Sequence, residues 1–220
     1  MDDEPTLGPG LTLLSTPDAR STALHDLVAR TLGSDAGHAY WVDARNAATT
    51  YALAAVAPTD RLLDRVRVAR AFTAYQHHEL VRTLVRRVDA RTGLVVCPNL
   101  GALYRDDDVP EGEAADLLDA TVAVLADLAR SRSVPVLATA TSEARDRLAS
   151  VADGELDCTR TRFGFRYDGE DFETTVYPVA DGWQTTIPYW VDRCGAVVDR
   201  SVVAAVDPAE PTVAEFALGV

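Results

Sequence analysis

Short apolar runs alternate along most of the chain with longer stretches whose apolar residues recur every three or four positions. "LTLLS" (11–15) is the first such run, and "STALHDLVARTL" (21–32) follows it as a predicted helix, with Ser21 or Thr22 as N-cap and Gly33 as the stop. "HAYWVD" (38–43) reads as a second strand, and the Ala-rich "AATTYALAAVA" (47–57) as a helix ended by Pro58. "DRVRVAR" (64–70) reads as a buried strand that breaks at Arg70 and becomes a basic helix, "TAYQHHELVRTLVRRV" (73–88). "GLVVCPNL" (93–100) is nearly all apolar, as a strand buried on both faces must be. "EGEAADLLDATVAVLADLARS" (111–131) predicts a long helix that opens with acids and ends near Arg130 and Arg132, and "VPVLATA" (134–140) a further buried strand. Strands alternating with helices at this spacing predict an α/β fold, a parallel sheet with helices on both faces.

After residue 153 the period changes. "ELDCTRTRFGFRY", "EDFETTVYPVA" and "WQTTIPYWV" are separated by Asp168-Gly169 and Asp181-Gly182, dipeptides suited to tight hairpin turns, which predicts a C-terminal antiparallel meander. No Pro/Gly/Ser-rich linker interrupts the chain. The expected organisation is an acidic tail over 1–10, one domain over 11–203 and a tail over 204–220. Tyr-Trp-Val-Asp occurs at both 40–43 and 189–192, in different contexts, and reads as chance strand chemistry.

Composition narrows the setting. No apolar run has membrane-spanning length, and the opening "MDDEPTLGPG" is acidic where a secretory leader is basic and apolar, so a soluble, cytoplasmic protein without a membrane partner is expected. Cys97, Cys158 and Cys194 are too widely spaced for a CxxC pair and read as buried thiols; no metal site or cofactor is expected. The net charge is −13, and all 21 basic residues are Arg. An acidic surface that avoids Lys points to a salt-rich, halophilic cytoplasm of archaeal type, so net charge alone does not exclude nucleic acid. Local charge is the better guide: residues 61–91 carry eight Arg against Asp64, Glu79 and Asp89, or +5, leaving −18 elsewhere.

A parallel core closed by a meander resembles the ATPase core of the RecA/RadA recombinase superfamily, over about residues 7–192. "ARAF", followed by a polar turn and Gln76-His77, is similar to a strand-to-helix segment of archaeal RadA-type proteins. The resemblance implies a nucleotide pocket, but its positions are degenerate here. A phosphate loop needs glycines and a Lys. In its place stands "STPDARST" (15–22), where Pro17 removes an N–H, Asp18 repels phosphate and Ser21 replaces the Lys. Thr22 keeps the magnesium-binding hydroxyl, and Arg20 has the charge to touch a phosphate. Pro98 stands where the resemblance implies an acid on the metal shell, and Arg45 where it implies the water-activating Glu; Asp43, alone at a strand end, reads as a cap. Without donors, metal ligand and base, phosphoryl transfer has nothing to stabilise its developing charge. The resemblance therefore implies a pseudo-ATPase, not an enzyme.

Other constellations carry less. His77, His78 and Glu79 are adjacent on a helix, point about 100° apart and read as a polar helix surface. Asp106, Asp107 and Asp108 read as solvated loop acids. Contact remains. His78, Arg82 and Arg86, with Arg87 beside them, form a basic stripe opposite an apolar side of Leu80, Val81, Leu84, Val85 and Val88, suited to an acidic protein or a phosphate backbone. The loops that touch DNA in recombinases would fall near 104–112 and 141–153, where only Arg105, Arg145 and Arg147 have the charge, so DNA contact is expected to be weak or indirect. The expected function is a non-hydrolysing accessory in DNA recombination or repair that docks on a RecA/RadA-type recombinase or another paralogue, in a homo- or hetero-oligomer. The alternatives are an interaction protein outside repair, similar to the SulA cell-division inhibitors, and a nucleotide-binding switch without hydrolysis.

Overall fold

The most apolar run forms an interior strand of the sheet, because a strand covered by helices on both faces has no solvated side on which to place polar residues. In the computed structural model, β1 (Gly10–Ser15), β2 (His38–Ala44), β3 (Val66–Ala71), β4 (Thr92–Leu100) and β5 (Pro135–Ala140) lie parallel in the order β3-β2-β4-β5-β1. β6 (Gly154–Thr161) pairs parallel with β1, and β7 (Gly164–Gly169), β8 (Glu173–Val179) and β9 (Gly182–Thr185) follow antiparallel, giving a sheet of nine strands among the described residues. The structure describes residues 7–18, 21–34, 37–57, 59–107, 109–162, 164–169, 173–179 and 182–185. All lie in the first of two compact units, Met1–Thr185 and Thr186–Val220. The architecture is α/β, a parallel sheet flanked by helices with a C-terminal antiparallel meander, and is consistent with a RecA-like core.

Each face of the sheet has its own core. Helices α1 (Ala23–Ser34) and α2 (Thr50–Val56), with a 3-10 turn over Asp60–Arg65, cover one face through Leu24, Leu27, Leu32, Leu53 and Leu62. Helices α3 (Ala74–Arg87), α4 (Glu111–Arg132) and α5 (Ser142–Ala149) cover the other through Val81, Leu84, Leu118, Leu125 and Leu148. β4 contributes Leu94 and Val96 to the first core and Val95 and Cys97 to the second, which is why its apolar run does not alternate with polar residues.

A buried ion pair locks α1 to the meander. Asp26 and Arg30, one turn apart, meet at 2.7 Å with both side chains almost wholly inaccessible. The Tyr167 hydroxyl, from β7, lies 2.8 Å from the same Asp26 carboxylate oxygen and 2.9 Å from the Ala23 carbonyl, and Arg30 stands over the Tyr167 ring. Burial raises the Asp26 carboxyl above its ordinary value, against the opposing pull of Arg30 and Tyr167.

Several boundaries depart from the pattern-based expectation. Gly33 does not stop α1, which runs to Ser34. The Ala-rich helix is shorter than 47–57, because Thr49 caps it by accepting from the Ala52 N–H and residues 47–49 are held in a loop. Residues 64 and 65 belong to the 3-10 turn, and β3 continues through Arg70 to Ala71. β3 is not a buried strand but one of the two end strands, with Arg67, Val68 and Arg70 exposed; its valines signalled a strand without saying where it would lie. The stretch "ELDCTRTRFGFRY" is two strands, turning between Thr161 and Gly164, and Asp168-Gly169 are the last residues of β7. Gly182 does begin a strand, whereas 186–191, Cys194 and the second Tyr-Trp-Val-Asp lie outside the described residues.

Candidate functional site

Parallel α/β sheets bind ligands beyond the carboxyl ends of their strands, where neighbouring strands send their connections to opposite faces. Here β1 and β5 diverge in this way, towards α1 and α5, and so do β2 and β4, towards α2 and α4. Arginine bridges both crevices. Arg145, on α5, donates to the Ser15 hydroxyl at the end of β1 and pairs with Glu155 of β6 at 3.0 Å. Arg45, in the loop after β2, pairs with Asp106 and donates to the Ala102 carbonyl at 3.1 Å, both in the loop after β4.

The loop after β2 is built around Asp43, which is buried. Its Oδ1 accepts from the backbone N–H of Ala47 at 2.7 Å and of Ala48 at 3.1 Å, and its Oδ2 meets Arg70 at 3.3 Å. Arg70 stands opposite Asp43 in the β2–β3 register and also donates to the Ala48 carbonyl. A ring nitrogen of His25 lies 2.9 Å from the Ala47 carbonyl, and Asn99 Nδ2 donates to Ala44 at 3.3 Å. Arg45 and Asn46 both take positive φ, 61° and 58°, a strained pair that this network holds in place. Asp43 therefore works as a strand-end cap. Asp43→Ala would strip a buried carboxylate from two N–H groups and a guanidinium, with an expected loss of about 2 kcal/mol in urea unfolding.

The β4 loop packs against the same rim. Gly101 has φ of 95°, and a side chain there would meet the Thr141 hydroxyl and Ala144 of α5, so the turn needs glycine. Beyond it lies an open cavity of about 560 Å³ lined by charges of both signs, including Arg105, Asp106, Glu143 and Arg147. Arg105 pairs with Glu143 at 2.9 Å and Arg147 with Asp119 at 2.6 Å. Asp106 is thus an ion-pair partner of Arg45 rather than a solvated acid.

A second polar cluster lies beneath α3. His77 is fully buried, with Nδ1 2.9 Å from the Tyr104 hydroxyl; that hydroxyl lies 2.9 Å from Thr121 Oγ1, which is 2.8 Å from His78 Nδ1. Thr121 donates its one proton to the Leu117 carbonyl at 2.7 Å, so it accepts from both Tyr104 and His78, and Tyr104 accepts from His77. His77 Nε2 is then a buried lone pair with no partner among the described residues. Burial lowers the His77 pKa to about 4 and raises that of the Tyr104 phenol to about 12. The polar-surface reading of His77 and His78 is thereby corrected. The α3 seam runs Ala74, His77, Val81, Leu84, Val88, while Val85 is exposed, because Tyr104 and Thr121 supply partners that make histidine acceptable inside.

Of the remaining sequence-derived positions, Arg20 lies outside the described residues. Ser21 accepts from the Ala23 N–H at 3.2 Å, Thr22 precedes α1 and takes the Asp26 N–H on its carbonyl, and Pro98 is buried in β4. The basic stripe loses His78 to α4 but keeps Arg82, which pairs with Glu79 at 3.3 Å, and the exposed Arg86 and Arg87. Tyr104 and Thr121 carried no motif, and Arg70 and His77 stood out in the sequence without their partners. An Arg at a strand end is ambiguous until register puts it opposite Asp43.

Cys97 and Cys158 are buried free thiols with pKa values pushed up to about 12, chiefly by desolvation. Among the described residues no group of His, Cys, Asp and Glu is placed to hold a metal ion, and no helix is long and apolar enough to cross a membrane. No protein-family model and no curated protein matches the chain.

Proposed function

We propose that this chain is a catalytically inactive RecA/RadA-like paralogue, a pseudo-ATPase that acts through protein contact in DNA recombination or repair. The observation that carries the reading is the bridging of both crevices: Arg145 and Arg45 occupy, with protein partners, the ground where an open α/β sheet takes its ligand. Asp43 supports it, since a carboxylate committed to two backbone N–H groups and a guanidinium is a poor base. Arg105, Arg145 and Arg147 each have a carboxylate partner, which favours indirect over direct DNA contact. Arg86 and Arg87, exposed in a +5 window, favour an acidic protein surface as partner.

With Mg-ATP, the purified chain is expected to release phosphate no faster than its Thr22→Ala variant. A magnesium-dependent rate abolished by that substitution would overturn the pseudo-ATPase reading. For the repair role, the immobilised chain is expected to retain a purified archaeal RadA-type recombinase in molar salt, and an Arg82→Glu/Arg86→Glu variant with unchanged circular dichroism is expected to lose it. No retention by wild type would remove the recombinase from the proposal.

A further inference from the structure

The amino-terminal ends of β2 and β4 approach closely. A Cβ on Gly37 would meet the Gly93 nitrogen at 2.6 Å and the Gly93 Cα at 2.9 Å, so the two strand starts need glycine to come together. That approach gathers basic side chains around His38. The His38 N–H donates to the Arg91 carbonyl at 3.0 Å, Arg65 Nε donates to the Gly37 carbonyl at 2.7 Å, and His38 Nε2 lies 3.4 Å from Thr92 Oγ1. Tyr40, two residues on and so on the same face of β2, stands edge-on to the His38 ring with centroids 5.1 Å apart. Arg67, opposite Tyr40 in the β2–β3 register, lies over the Tyr40 ring and donates to its hydroxyl at 3.1 Å. Acids outnumber arginines by 34 to 21 in this chain, and among the described residues nine arginines pair with a carboxylate. The exposed Arg67 and Arg91 do not, although such an excess of acids makes pairing easy. Asp89, the carboxylate of this cluster, is held in the turn before β4, where it accepts from the Arg91 N–H at 2.9 Å and from Thr92 Oγ1 at 3.3 Å. Burial and then Arg67, with Arg91 and Arg65 adding to them, lower the His38 pKa against the pull of Asp89.

We propose that the cluster of Arg67, Arg91 and His38 binds a phosphate dianion, free or as the terminal group of a monoester. A guanidinium presents paired donors that match phosphate oxygens, and the two that lack carboxylates supply the two positive charges a dianion needs, while Arg65 and Asp89 offset each other. A carboxylate or a backbone diester carries one negative charge and would leave half of that charge unmet. His38 reads occupancy, because an anion on Arg67 and Arg91 cancels the charges that hold its pKa down. The site lies at the opposite end of the sheet from the crevices bridged by Arg45 and Arg145, so it goes beyond the contact role proposed above and does not depend on it.

The probes are inorganic phosphate, methyl phosphate, dimethyl phosphate and acetate, titrated at constant ionic strength into the full chain at about pH 7.5, where a monoester is dianionic. The His38 ring proton is followed by NMR; the chain has four histidines, and His38→Gln identifies the signal. Expected are saturable shifts with phosphate and methyl phosphate, and a His38 titration midpoint that moves up when phosphate is bound. Arg67→Gln and Arg91→Gln, both with wild-type circular dichroism, should each lose about tenfold in phosphate affinity. Arg67→Gln should also raise the His38 midpoint without any anion, because it removes a neighbouring positive charge. Dimethyl phosphate, with the single charge of a nucleic-acid backbone, and acetate should bind at least about tenfold more weakly than phosphate. Shifts that do not saturate, equal binding of the singly charged anions, or Arg variants that bind as wild type would overturn the proposal. So would a His38 midpoint that phosphate leaves unmoved, since the anion would then sit elsewhere.

Discussion

Arg30→Ala is expected to cost about 3–5 kcal/mol in folding stability, because it leaves the Asp26 carboxylate charged and buried against Tyr167 alone. Replacing both partners, as Asp26→Leu/Arg30→Leu, removes the uncompensated charge with the pair and should cost much less than Arg30→Ala, so the two sites will not be additive. Burial holds the folded-state Asp26 carboxyl above its unfolded value, so its contribution to stability is present below the unfolded pKa and is lost as pH rises through the folded one. Losing Arg30 raises it further, and the deficit of Arg30→Ala measured by urea unfolding should shrink between pH 7 and pH 5. A deficit under about 1 kcal/mol at pH 7 would show that the pair is not the clamp between α1 and β7.

The second large effect is a pH dependence set by His77. Its folded-state pKa of about 4 lies below the ordinary 6.5, so the stability it confers is fully present above pH 6.5 and is lost as pH falls through 6.5 towards 4. A shift of this size corresponds to about 3 kcal/mol between those limits. His25, His38 and His78 are also lowered, chiefly by burial, so the informative quantity is a difference. His77→Leu fills the site with similar volume and leaves the Tyr104 hydroxyl on Thr121. Urea unfolding from pH 7 to pH 4.5 should therefore show wild type losing more stability than the variant. Parallel pH profiles would mean that His77 is hydrated and titrates freely.

The alternation of short apolar runs with helical periods determined the α/β class and the order of elements by itself, because period and apolar content are local properties of the chain. "GLVVCPNL" announced a strand buried on both faces, and β4 is one, since no solvated strand leaves so many consecutive positions apolar. Asp43 was legible as a cap for the same local reason. What depends on non-local neighbours was not legible. "DRVRVAR" carried the right residues for a strand, but whether it lies inside or at the edge depends on what pairs with its second side, and β-branched residues suit both positions. His77 looked like surface because it is polar, and only the approach of Tyr104 and Thr121, 27 and 44 positions further along, makes its burial tolerable. Arg45, Arg70 and Arg145 are indistinguishable from other surface arginines until strand order sets Asp106, Asp43 and Ser15 beside them. Tertiary structure alone decided those pairings, because an ion pair or a hydrogen bond acts over a few ångströms and the chain brings its partners within that range only by folding.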